Sequence, residues 1–96
     1  MTAAYGTFEL TQTENVTINC GFQPSYIMVT RTDASDRRIV VTYVNGTVRR
    51  ATAGAYYADT TTTQGHTIGS VNSTGFIFNK SSESVFTGTY MYIAVK

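Results

Sequence analysis

Apolar residues in this chain recur at every second position, in short runs that stop at Gly, Asn, Asp or Ser. No segment of helical length spaces its apolar residues by three and four, so the amphipathic period is that of a strand throughout. Strands are expected near Tyr5–Thr11, Asn15–Asn19, Tyr26–Thr32, Arg37–Val44, Thr47–Ala53, Thr67–Val71, Gly75–Asn79 and Gly88–Val95. Residues 54–66 lack the pattern and read as a long loop with room for an irregular strand. Strands at this spacing predict an all-β domain over residues 1–96, an antiparallel β-sandwich or small barrel of about seven to eight strands.

The best-specified element is a hairpin. Asn45-Gly46 stands between two β-rich runs, and a two-residue type I′ turn needs positive φ at both of its central positions. Such a turn pairs Val44 with Thr47, Tyr43 with Val48, Thr42 with Arg49 and Val41 with Arg50. One face then carries Ile39, Val41, Tyr43, Val48 and Arg50; the other carries Val40, Thr42, Val44, Thr47, Arg49 and Ala51. Both faces hold valines, where a strand with one wet face should alternate more cleanly. Either the second face meets a neighbour, or a Thr-rich surface simply tolerates exposed valine. The run from Gly88 to Val95 has the same character. Tyr90, Tyr92 and Ala94 share one face, and Met91, Ile93 and Val95 share the other, which suits a central strand between two layers.

Ninety-six residues support one modest core. The single cysteine, Cys20, excludes an intrachain disulfide. So small a core, without staples and with apolar residues on both strand faces, predicts self-association, as a trimer or a larger lattice. The start, Met1 to Tyr5, has neither a basic nor an apolar leader region, and no apolar stretch reaches the length of a membrane span. The expectation is a product made in a cytoplasm, with no membrane partner. The four Asn-X-Ser/Thr triplets, at Asn15, Asn45, Asn72 and Asn79, arise readily in a Thr-rich chain.

Catalysis has little to stand on. His66 is the only histidine and lies in a polar, Gly-rich stretch, where it is expected to be solvated. Asp59 and several serines could be drawn near it, but no local signature supports a triad. Asp33 and Asp36 read as turn formers rather than as paired catalytic carboxylates. One His and one Cys cannot build a usual zinc site, and no phosphate-cradling glycine motif is present. Cys20 reads as a buried structural thiol. No catalytic residue, metal ligand or cofactor is therefore expected.

All five arginines, Arg31, Arg37, Arg38, Arg49 and Arg50, fall between residues 31 and 50. Asp33 and Asp36 interrupt them, and a net charge of +1 is too low for a strong phosphate footprint. Arginine is enriched at protein interfaces. Arg31, Arg37, Arg38 and Arg49, with Val40 and Val44, are accordingly the candidate interface, and no nucleic-acid partner is expected.

Three short stretches carry a resemblance. Gly21, Phe22 and Pro24 precede the apolar run Tyr26–Val29; Thr74 to Asn79 read TGFIFN; Gly88, Thr89, Tyr90, Tyr92, Ile93 and Ala94 fit a GTYxYIA ending. This pattern, over about residues 16–95, resembles a small β module of tailed-bacteriophage virion proteins, although the chain lacks the Trp that many such modules carry. The resemblance implies a non-enzymatic virion structural protein. The first expectation is a capsid decoration or cement protein, whose partners are the major capsid protein and other copies of itself. The alternative is a receptor-binding module at the tip of a tail fibre. Physically, Pro24 fixes its own φ and extends Gln23, Gly21 permits a corner, and Phe22 can plug the end of the sandwich beneath it. The motif places no reactive group, so it reads as a structural corner.

Overall fold

The computed structural model describes residues 1–33, 39–52, 55–57 and 65–96. Among them are nine strands: β1 (Ala3–Leu10), β2 (Val16–Asn19), β3 (Tyr26–Arg31), β4 (Ile39–Val44), β5 (Thr47–Thr52), β6 (Ala55–Tyr57), β7 (Ile68–Asn72), β8 (Gly75–Phe78) and β9 (Gly88–Val95). The one helical element among the described residues is a 3-10 turn at Ser84–Phe86. The protein is all-β, as the period of two requires. The strand beyond the expected seven to eight is β6, whose three residues are too short to show alternation.

The strands form two antiparallel sheets. The larger has the order β1-β9-β3-β4-β5-β6 and the smaller the order β2-β8-β7. Their inner faces meet in a core of Leu10, Ile18, Phe22, Ile27, Val29, Ile39, Val41, Phe76, Phe78, Tyr90 and Ala94. Aromatic rings join the layers. Phe78 of β8 lies 5.4 Å from Phe8 of β1 and 5.8 Å from Tyr90 of β9, ring centre to ring centre. Phe76 meets Tyr92 edge-on at 5.7 Å. Burial pushes the Tyr90 hydroxyl up to about 12, ahead of smaller influences from Arg31, Asp33 and Arg50. That hydroxyl donates to the Phe86 carbonyl at 2.7 Å.

The hairpin has the expected register, with Val44 opposite Thr47 and Val41 opposite Arg50. Asn45 and Gly46 turn at φ +46° and +96°. Ile39, Val41, Val48 and Arg50 point into the protein and are buried. Strand β9 is central within its sheet, between β1 and β3. It does not lie between two layers, as its sequence suggested: Tyr90 and Ala94 enter the core, whereas Met91, Ile93 and Val95 lie half-buried on the outer face.

The Gly21-Phe22-Pro24 corner carries the chain from the small sheet to the large one. Gly21 sits exposed at φ +82°. The Cys20 and Gly21 amides both donate to the Thr74 carbonyl, at 2.7 and 3.1 Å. Phe22 and Pro24 are buried, and the Ser25 amide then joins the large sheet through the Val95 carbonyl at 2.8 Å. Cys20 is half-buried against the core rather than enclosed by it, and burial raises its thiol pKa. It belongs to this corner and has no chemistry assigned to it.

Candidate interaction surface

The outer face of the large sheet follows from its registers. One row across the strands runs Tyr5, Ile93, Met28, Thr42, Arg49, from β1 through β9, β3 and β4 to β5. On one side of it runs Ala3, Val95, Tyr26, Val44, Thr47; on the other, Thr7, Met91, Thr30, Val40, Ala51. Tyr5 is 82% exposed and Val44 48% exposed, and the residues between them are mostly half-buried. From β1 to β5 this face carries one acid, Glu9, and one base, Arg49. The small sheet differs. Its outer row, Thr17, Ile77 and Ser70, has polar flanks, with Asn19, Gly69 and Ser70 exposed. Large contiguous apolar patches are uncommon on monomeric proteins and mark contact surfaces.

Of the proposed interface residues, the structure brings Val40, Val44 and Arg49 together on this face. Arg37 and Arg38 lie outside the described residues. Arg31 is elsewhere and needs reassignment, because its donors are used within the chain. Its Nε bonds Asp33 Oδ1 at 2.8 Å, Nη1 donates to the Val85 carbonyl at 2.6 Å, and Nη2 donates to the Thr87 carbonyl at 2.5 Å. The side chain is 9% exposed. A planar guanidinium fork suits two adjacent carbonyls, so Arg31 clamps the segment before β9 onto β3.

Asp33 completes this clamp by accepting the Thr89 amide on Oδ2 at 2.9 Å. A side chain on Gly88 would run into the same carboxylate, which explains the glycine at the head of the GTYMYIA strand. The Thr89 amide first, and Arg31 next, hold the Asp33 carboxyl below the ordinary aspartate range. A depressed folded-state pKa means that the ionised form stabilises the fold. That contribution is complete above the unfolded-chain value near ~3.9 and is lost as pH falls through the lower folded value. The urea midpoint of the wild type should therefore fall on acidification below about pH 4 more steeply than that of Asp33→Asn; parallel curves would remove Asp33 from the account.

His66 corrects another expectation. It is fully buried, not solvated, at φ +42°, with its ring stacked on Phe86 at 4.3 Å. Arg50 Nη1 donates to His66 Nε2 at 2.6 Å and to the Gly65 carbonyl at 3.0 Å. Arginine has no acceptor, so the imidazole proton of this pair sits on Nδ1, facing Ser81 Oγ at 3.4 Å. Ser81 Oγ donates in turn to the Glu83 carbonyl at 2.9 Å and accepts the Glu83 amide at 3.1 Å. A serine facing a protonated ring nitrogen, with its own proton already committed, is not activated as a nucleophile. The group links β5 to the 65–67 and 81–86 segments. Sequence reasoning missed it because its members are distant in the chain and only the fold joins them.

Two further features are plain. A cleft of about 310 Å³ opens where the β4–β5 hairpin passes β7, lined by Tyr43, Gly46, Val48, Ile68, Gly69, Ser70 and Val71, with no charged residue in it. Among the described residues no three His, Cys, Asp or Glu side chains converge as metal ligands, and no helix is long and apolar enough to cross a membrane. Compared with known proteins, the chain matches no family model, no curated protein and no solved structure.

Proposed function

We propose that the protein is a non-enzymatic structural component of a tailed-phage virion, a capsid decoration protein that works through protein–protein contact. The observation that carries this reading is the outer face of the six-stranded sheet, broad, apolar and bearing a single acid and a single base. The resemblance of the Gly21–Pro24, Thr74–Asn79 and Gly88–Ala94 stretches to virion β modules supports it. The described arginines support it too. Arg31 and Arg50 are engaged inside the fold, which leaves Arg49 as the one arginine that the described residues place on the outer face, too little by itself to track a phosphate backbone.

Particles purified without the protein provide the test. Wild-type protein should load onto them, and Arg49→Glu should weaken loading by at least about tenfold, since a reversed charge within a protein contact is penalised by several kcal/mol. DNA binding by both proteins should be weak and strongly salt-dependent. Tight DNA binding lost in Arg49→Glu, with loading intact, would overturn the proposal.

A further inference from the structure

The outer sheet face is self-complementary, and we infer that its occupant is a second copy of this chain, packed face to face about a twofold axis that runs along β3. This rests on the reading of that face as a protein contact and names the protein that meets it. Three observations carry it.

The first is position. Strand β3 is third in the six-stranded order β1-β9-β3-β4-β5-β6, with two strands on the β1 side and β4 and β5 next on the other. A twofold axis over β3, parallel to the strands, lays β9 of one copy over β4 of the other and β1 over β5. Met28 then meets its own counterpart on the axis. The registers decide the rest: Met91 faces the partner's Val40, Val95 faces the partner's Val44, and Ile93 faces the partner's Thr42. Two of these three contacts are apolar on apolar and the third sets an isoleucine on a threonine, and Val44, half-exposed in the single chain, is covered.

The second is charge. In the same arrangement Tyr5 overlies the partner's Arg49, because Tyr5 and Arg49 end the same row on opposite sides of β3. Tyr5, the most exposed aromatic ring among the described residues at 82%, thereby meets the one cation that those residues place on this face, a favourable cation–π pairing. It occurs twice, once at each end. A DNA partner would call for several cations on this face, and a strongly acidic protein partner would too.

The third is size. Five strands at ~4.8 Å spacing and about six residues at ~3.3 Å give a face of roughly 500 Å² in projection. Two such faces together cover roughly 1,000 Å², the lower bound expected of a specific interface. Twisted sheets pack in this way at about 10 Å separation with strands within about 30° of alignment. The arrangement is a twofold pair, where the two apolar strand faces and the lack of staples by themselves predict a trimer or a larger lattice.

Sedimentation equilibrium of the whole chain tests the inference. The wild type should be a dimer at micromolar concentration. Met28→Lys, which sets two like charges on the axis, should weaken it by more than about tenfold, while Ser70→Lys on the other sheet should leave it unchanged. Tyr5→Arg and Arg49→Tyr should each weaken the dimer, and the double variant, which restores the pairing in reverse, should recover it; this swap decides the matter if Met28→Lys does not fold. A monomeric wild type, a trimer, or a dimer indifferent to Met28→Lys and to the swap would overturn the inference. A monomer that still loads onto particles would overturn it while leaving the proposed function standing. A dimer with these mutational responses that never loads would do the reverse.

Discussion

Phe78→Ala should destabilise the fold by about 3–5 kcal/mol, the usual loss for a fully buried phenylalanine whose site cannot collapse. Phe78 is completely buried and joins the two sheets through Phe8 and Tyr90. Its removal leaves a void between layers that rigid strands cannot close, and both ring pairs are lost with it. A domain of this size is stable by only ~5–15 kcal/mol, so the variant should be marginal at room temperature. Tyr90→Phe is the companion measurement. It keeps the ring and removes the hydrogen bond to the Phe86 carbonyl, for a loss of about 1 kcal/mol. Urea denaturation of both variants should separate clearly; equal losses would mean that the aromatic layer is not what holds the sheets together.

The second large effect contrasts two neighbours. Arg50→Leu should lose about 2–4 kcal/mol, because the Gly65 carbonyl and His66 Nε2 give up a charged donor inside the protein. Arg49→Leu should change stability of the separated chain by less than about 0.5 kcal/mol, as a substitution on the outer face. The two residues are adjacent in sequence and differ only in the side of the sheet they occupy. Similar losses in both, measured below the dimerisation range, would contradict the assignment of inner and outer faces.

Much of this architecture was legible because it is local. The period of two fixes strand identity, and Asn45-Gly46 fixes both the turn and the register of β4 and β5. The division of β9 into two faces follows from alternation alone. The apolar character of both faces was also visible, although not which face the second sheet would cover. What stayed hidden is non-local. In the small sheet β7 and β8 are a local hairpin with Asn72 opposite Gly75, but nothing in β2 announces that it pairs with β8. Arg31 reaches carbonyls 54 and 56 residues away, so in the sequence it reads as an interface residue. His66 sits among glycine and polar residues that read as loop, but a buried arginine from β5 supplies it with a partner that only the folded chain reveals.

The central claim is that this domain decorates a capsid through protein contacts. A cryo-EM reconstruction of tailed-phage particles carrying this chain tests that proposal. Repeated density of this β-sandwich is expected on the shell, with the outer face of the six-stranded sheet buried against protein. Density confined to a tail tip, or purified particles that lack the protein altogether, would contradict it.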